Sequence, residues 1–519
     1  MRVYVAGNLE RVRPQDPARE AAAASVKAAR NEYAAFQIVV WAGEGGLTGA
    51  NANWSALTTE EGDSIGAENI TLYREHYVEV KTPSPKSKEG AGWYPDALIP
   101  FSTGATDGRF TAAPFAVDGG HNQPLWVDVY VPADAGAGVY SGAVTVTADG
   151  EEPVEVPVEL TVWDFTLPDT PSMRSNFGDV RRGVAAQGID PNSVEFRKVQ
   201  RLYAEALAAH RICPAVPAWL KPRVTANGTV DAADTDAALR EWMEHFHVTG
   251  FPVSLQGNDP LGSDRDRNLT YLRSMYAYLK TNGWEGYAYI YALDEPNTAE
   301  AYEEVRQRAR LIHEAQPGLK VLVTEQPTPQ DPKWGTLVGS VDVWVPLWPL
   351  FEEGPAAERL AAGEELWSYT ALCQGAKGRD TPFWQLDFPL LNYRIPAWIN
   401  WRYKITGLLY WTGTYWDTTE DVWRNPLTYR DAYNYEGSLF YPGKDAGFLG
   451  FVPSMRVKQI RQGMQDYEYF KLLADLGGRD DADAAVLEIA RSWTDWKTGA
   501  ADLEAVRERI AGMILGRQE

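Results

Sequence analysis

Apolar and polar positions alternate with a period of two through much of the first 168 residues. Leu125-Trp126-Val127-Asp128-Val129-Tyr130-Val131 and the stretch 154–162 show it most clearly. Phe36-Gln37-Ile38-Val39-Val40-Trp41 and Gly142-Ala143-Val144-Thr145-Val146-Thr147 are shorter runs, and turn-rich segments such as 133–138 separate them. Successive strand side chains point to opposite faces, so the alternation predicts half-buried strands, and short strands between turns predict a β-sandwich. Asp164-Phe165-Thr166-Leu167-Pro168-Asp169-Thr170-Pro171 carries the prolines of a linker and closes this domain at residues 1–168.

The period then changes. Apolar runs at 174–179, 213–219, 251–255, 287–293, 320–324, 341–347, 365–372 and 407–416 read as buried strands. Segments at 194–210, 234–247, 267–282, 298–315, 355–362 and 396–405 read as helices between them. Strands alternating with helices predict parallel β/α units, and the strand count predicts a (β/α)8 TIM-type barrel over residues 172–452. Residues 453–519 read as a helical C-terminal segment packed on the barrel, with Tyr467, Phe470 and Leu473 in its core. The expected fold class is multidomain, β and α/β.

One of these runs carries candidate chemistry. Tyr289-Ile290-Tyr291-Ala292-Leu293 leads straight into Asp294-Glu295-Pro296, at the end of the fourth predicted strand. Barrel active sites sit at the C-terminal ends of strands. Neighbouring strand residues diverge, so both acids can enter one pocket only where the strand gives way to a loop. Such a pair suits acid-assisted cleavage of a glycosidic bond: one acid protonates the leaving oxygen, the other manages developing positive charge. A structural role is the alternative, with Asp294 capping the helix that begins near Thr298 and Glu295 supporting its first turn.

Composition narrows the partners. At 519 residues the chain exceeds the roughly 250–300 at which single cores stop growing. A net charge of -22 excludes a long nucleic-acid or anionic-membrane contact and fits a neutral glycan or glycoconjugate. Cys213 and Cys373 stand far apart without a CxxC, and of the histidines only His245 and His247 are close, pointing apart on a helix. Buried free thiols and no metal or cofactor are expected. There is no apolar run of about 18 residues to span a membrane. The N-terminus lacks the apolar core of a signal peptide, which predicts a cytoplasmic protein, or a secreted one if a signal had been removed. The oligomeric state stays open, with a homodimer as one option.

Many of the 20 tryptophans fall at predicted strand exits: Trp219, Trp344, Trp348, Trp411 and Trp416, with Trp384 in a loop near Tyr369. Indoles stack on the flat C–H faces of sugars, although any one Trp taken alone is more often a core residue. Trp344, Trp348, Tyr369, Trp384, Trp411 and Tyr291 are the aromatic candidates for substrate binding, and Asp387 is a hydroxyl ligand or a turn residue. Asn176, Glu325, Asp342 and Asp417 are weaker polar candidates. The basic, proline-rich stretch 81–88 reads as a solvated loop.

Trp93-Tyr94-Pro95-Asp96-Ala97-Leu98-Ile99-Pro100 and Asn122-Gln123-Pro124-Leu125-Trp126-Val127-Asp128 resemble the β-sandwich of glycoside hydrolase family 123 and the related group known as domain of unknown function 4091. Asp294-Glu295, Val343-Trp344-Val345-Pro346, Gly407-Leu408-Leu409-Tyr410-Trp411, Gly437-Ser438-Leu439-Phe440-Tyr441-Pro442-Gly443, Pro453-Ser454-Met455-Arg456 and Gly463-Met464-Gln465-Asp466-Tyr467-Glu468-Tyr469 continue the likeness. The resemblance implies a sandwich plus (β/α)8 barrel and an exo-acting, retaining β-N-acetylgalactosaminidase in which the sugar's 2-acetamido oxygen is the nucleophile and an oxazoline the intermediate. It implies that Glu295 is the general acid/base and that Asp294 orients the acetamido group. Nucleophile and acid in ordinary retaining enzymes stand about 5–5.5 Å apart across the scissile bond, generally on different strands. Adjacent acids fit a different division of labour. A glycosidase for β-N-acetylglucosamine or a 2-hydroxy sugar, and a carbohydrate-binding protein without catalysis, are the alternatives.

Overall fold

The structure, a computed structural model, describes residues 1–101 and 108–518. In the N-terminal half the period-two runs pair into two sheets. One has the order Arg2–Gly7, Glu32–Trp41, Asn122–Val131, Ile70–Val80, Gly92–Pro100 and is antiparallel throughout. The other runs Ala24–Arg30, Val154–Thr166, Gly138–Thr147, Leu47–Trp54, Phe115–Val117, and its first pair is parallel. Ile38, Val40, Leu125, Val127 and Val129 of the first sheet meet Val144, Val146, Val156, Val158 and Leu160 of the second in a single core.

The first sheet is covered on its outer face too. Trp126 and Leu98 pack against Leu390 and Met455 of the C-terminal half. Asp128 occupies the polar phase of its strand yet is 2% exposed. It is held there by Trp126 Nε1 at 2.7 Å, Lys458 Nζ at 2.7 Å and both terminal nitrogens of Arg461. The two cations belong to the Met455–Leu473 helix, which is buried on nearly every side. That helix has no apolar stripe because its polar groups face partners rather than water: Arg456 binds Asp96, and Asp466 binds Arg394 and Arg507. It wedges between the sandwich and the β/α half.

The β/α half is built on a seven-stranded parallel sheet in the order Arg174–Asn176, Gly407–Tyr410, Glu365–Thr370, Val343–Trp344, Lys320–Val323, Ala288–Leu293, Phe251–Pro252. The sheet curls on itself. Asn176 Nδ2, on one edge strand, donates to the Tyr289 hydroxyl at 2.8 Å, next to the other edge. Tyr289, Leu322, Val343, Val345, Trp367, Tyr369 and Leu409 fill the interior of the curl.

It departs from the eight-strand expectation at one place. Residues 213–219 form no ladder, because Pro214 and Pro217 have no N–H to give one. The segment lies in the gap between the sheet edges: Cys213 N–H donates to Ser175 Oγ at 2.8 Å, and Thr249 N–H meets Cys213 Sγ at 3.4 Å. Cys213 and Cys373 are buried free thiols.

Candidate active site

Along Ala288–Leu293, Tyr289 and Tyr291 join the interior cluster, while Ile290 and Ala292 pack outward with Val305 and Ile312 of the Ala299–Ala315 helix. Continued alternation would send Asp294 and Glu295 to opposite faces. Instead Glu295 takes a left-handed backbone with φ of 42°, which costs a non-glycine residue about 1–2 kcal/mol. The turn brings both carboxylates to the wall of one cavity of about 820 Å³ at the C-terminal mouth of the sheet.

Each acid is anchored by one oxygen. Tyr291 OH and Thr324 Oγ1 donate to Asp294 Oδ1 at 2.6 and 3.1 Å. Thr324 Oγ1 also accepts the Glu295 N–H at 2.9 Å, so one hydroxyl stabilises the turn and the acid beside it. Tyr369 OH donates to Glu295 Oε1 at 2.7 Å. Among the described residues nothing bonds to Asp294 Oδ2 or Glu295 Oε2. Burial first, then the neighbouring carboxylate charges, push the Tyr291 and Tyr369 phenols far up, so both stay proton donors. The helix-cap alternative does not hold for Asp294: Thr298 is the N-cap, its side chain accepting from Ala301 N at 3.1 Å.

Of the residues singled out from sequence, Tyr291, Asp294, Glu295, Tyr369 and Trp411 line this cavity together, as do Asn176 and Glu325. Trp411 is half-buried, with its Nε1 donating to Glu436 Oε1 at 2.8 Å. Among the described lining residues Arg430 is the single cation, against Asp294, Glu295 and Glu325. That balance suits a neutral ligand that becomes positive during reaction.

Four of the principal candidates, and several of the weaker ones, lie elsewhere. Trp344 is fully buried on the outer face, since its neighbours Val343 and Val345 take the inward phase. Trp348 stacks on Trp493 at 4.8 Å, and Trp384 packs edge-on to it at 5.5 Å with Nε1 bonded to the Asn392 carbonyl. Asp387 is no hydroxyl ligand: its carboxylate accepts from Ser84 N at 2.6 Å and Ser84 Oγ at 2.7 Å. The stretch 81–88 is a largely exposed loop, as read from sequence, except where Ser84, 3% exposed, and the half-buried Ser87 dock on Asp387. Asp342 also serves structure, bonding His313 Nε2 and Val321 N. Trp219 and Trp416 bond Gln200 and the Phe440 carbonyl, away from the cavity wall.

Sequence reasoning passed over Thr324, Gln326, Tyr410 and Arg430, which line the cavity. Thr324 was within reach of the strand-end argument, since it directly follows the Lys320–Val323 strand. Arg430 sits in a loop far along the chain and carries no local signal.

Two family models match the chain, described as Glycoside hydrolase 123 N-terminal domain over residues 8–148 and Glycoside hydrolase 123, catalytic domain over residues 261–473. Together they span about two thirds of it. Among solved structures, a family 123 glycoside hydrolase from Clostridium perfringens, described for glycolipid glycan hydrolysis, is 15% identical and covers 99% of this chain and 98% of its own, with a TM-score of 0.71. It shares this fold end to end. A GH5 xyloglucanase from Bacteroides ovatus (10% identity, 85% and 97% covered, TM-score 0.30) and a family 39 glycoside hydrolase from Bacteroides cellulosilyticus (12%, 80% and 80%, 0.34) overlap too weakly to carry an argument. No curated protein matches the chain.

Proposed function

Because the chain belongs to glycoside hydrolase family 123 and is thereby a glycosidase, we propose that it removes terminal β-linked N-acetylgalactosamine, with retention and by substrate assistance. One observation carries this reading: Asp294 and Glu295, adjacent in the chain, face one cavity, and each has one oxygen anchored and one left over. A pair placed side by side is badly arranged to attack C1 from one face and protonate from the other. It is well arranged if the sugar supplies the nucleophile.

In the proposed reaction the 2-acetamido oxygen attacks the anomeric carbon. Asp294 Oδ2 accepts the acetamido N–H and steadies the positive charge gathering on that nitrogen. Glu295 delivers its proton from Oε2 to the glycosidic oxygen, and the aglycone leaves as an alcohol. The resulting oxazoline is opened by water, which gives its proton back to Glu295, so C1 is inverted twice. Tyr291, Thr324 and Tyr369 hold the acids in place, so their geometry is set before the substrate reacts. The Trp411 indole gives the sugar a flat apolar wall. A cavity of about 820 Å³ has room for a terminal sugar with part of its aglycone. No metal or cofactor enters the scheme. The description of the Clostridium perfringens relative makes glycolipid glycans the first natural substrates to try.

The test is a panel of nitrophenyl glycosides with a thiazoline mimic of the oxazoline as inhibitor. Cleavage of the β-N-acetylgalactosaminide and tight thiazoline inhibition are expected. Preference for β-N-acetylglucosaminide or a 2-hydroxy sugar overturns the substrate, indifference to thiazoline overturns the mechanism, and binding without turnover marks a lectin-like protein.

A further inference from the structure

Glu325 stands beside the two acids and has no part in the scheme above. It follows Thr324 at the end of the Lys320–Val323 strand, and its N–H closes on the Val323 carbonyl at 2.9 Å. This three-residue turn breaks strand alternation, so Thr324 reaches Asp294 and Glu295 while Glu325 also lines the cavity. Strand alternation is thus interrupted twice at this mouth, once to present Glu295 and once to present Glu325.

The Glu325 side chain is 4% exposed. Its Oε1 accepts from the Tyr302 phenol at 3.0 Å and from Gln326 Nε2. Among the described residues no cation pairs with it. On the Ala299–Ala315 helix, Arg306 is engaged by Glu303 and by the Trp334 and Thr336 carbonyls. Arg430, across the cavity, lies 5.2 Å from the Tyr429 ring. The charged group that acts on Glu325 from the facing loop is another carboxylate, Glu295. A buried carboxylate with no counter-charge is strongly disfavoured in its ionised form. Burial chiefly, with the Glu295 charge adding to it, pushes Glu325 up to about 8. With two donors already on Oε1, the proton belongs on Oε2, for which no described residue is an acceptor.

We propose that Glu325 is a substrate-binding residue of this site, donating a hydrogen bond from its undissociated carboxyl to a hydroxyl oxygen of the bound sugar. The assignment rests on the glycosidase reading. It explains how a third acid is tolerated beside Asp294 and Glu295, since in its ionised form it would add a buried negative charge without a counter-charge to a pocket that already holds two acids. It also makes sugar affinity depend on alkaline pH. Above its titration point Glu325 loses the donated hydrogen and turns into an anion without a counter-charge facing a lone pair of the ligand.

The experiment is KM and kcat for the aryl β-N-acetylgalactosaminide from about pH 6 to 10, in the wild type and in Glu325→Gln and Glu325→Ala. For the wild type, KM is expected to rise about tenfold across a transition near the value of about 8. Glu325→Gln keeps a donor at every pH, so its KM at neutral pH stays within about threefold of wild type and the alkaline rise disappears. Glu325→Ala raises KM about tenfold or more at neutral pH, with kcat moving less. Lys221, lined up in a neighbouring groove, is pushed down to about 8 by burial, so the identifying signal is the difference between wild type and Glu325→Gln. Persistence of the alkaline rise in Glu325→Gln overturns the proposal, as does a loss in Glu325→Gln as large as in Glu325→Ala. Should Glu325→Ala not fold, the Glu325→Gln profile decides alone. If the wild type turns over no glycoside, the glycosidase reading is what has failed. Calorimetric titration of N-acetylgalactosamine at about pH 7 and 9.5 then applies the same criterion to binding, and a wild type that binds no sugar overturns both.

Discussion

Tyr369 donates its phenolic hydrogen to Glu295 Oε1 across the mouth of the curled sheet, at 2.7 Å. The two residues belong to strands that are not neighbours, with Val343–Trp344 and Lys320–Val323 lying between them in the sheet order. Only the curl lets them meet. The bond holds the acid that stands on the strained turn, and it leaves the other carboxyl oxygen toward the substrate side of the scheme. Tyr369→Phe removes one hydrogen bond to a charged group, worth about 1.5–3 kcal/mol. A fall in kcat of about ten- to a hundredfold with little change in KM is expected from steady-state kinetics. A variant that loses thermal stability but keeps kcat would show that the phenol only supports the fold.

The two acids should fail differently. Glu295→Gln is expected to lose about 10²–10⁴-fold in kcat on substrates with alkyl or sugar leaving groups, and far less on a dinitrophenyl glycoside that needs no protonation. Asp294→Asn should be impaired on both and should bind the thiazoline inhibitor more weakly. Equal, small losses for both variants on both substrates would remove the division of labour proposed for them.

Trp411 and Trp348 separate the aromatic roles. Trp411→Ala takes away a cavity wall and is expected to raise KM about tenfold. Trp348→Ala opens a hole in a fully buried cluster with Trp384 and Trp493, and should cost about 3–5 kcal/mol of stability. Its KM, measured on whatever fraction folds, should be unchanged. An increase in KM for Trp348→Ala with normal stability would reverse the assignment.

Asp128 links the two halves of the molecule. Burial alone would push its carboxyl up, but Arg461 and Lys458 outweigh that and hold it well below the ordinary range. A depressed carboxylate contributes stability that is present above its unfolded value of 3.8 and is lost as pH falls through the folded value. Denaturant unfolding of the wild type should therefore weaken steadily below about pH 4. Asp128→Asn leaves two buried cations without their charge partner and is expected to cost about 3–5 kcal/mol at neutral pH, while showing less of the acid decline. A neutral effect on unfolding would mean that water already screens the pair.

Much of this was legible along the chain because it is local. Alternation at 125–131 and 154–162 announces strands, since the backbone's two-residue period places side chains by sterics that act between neighbours. The run from Tyr289 to Pro296 announces a strand end carrying two acids for the same reason. The inward phase of Val343 and Val345 even told which way Trp344 points, had the period been applied to it. The proline pair at 214 and 217 likewise argued against a second strand.

What the sequence could not decide is who meets whom. Asp387 looked like a ligand until Ser84, 303 residues away, took both of its oxygens. Asp128 takes the polar phase of its alternating strand, yet a helix more than 300 positions later covers it with Lys458 and Arg461. Glu325 looked minor until the pairing of two strands, about 30 positions apart, set it beside Glu295. Local sterics act over a few residues and are written in the chain order, so strands and their ends follow from it. Burial, counter-charge and protonation depend on contacts that only long-range packing creates, and those decided which acids and aromatics of this protein share a cavity.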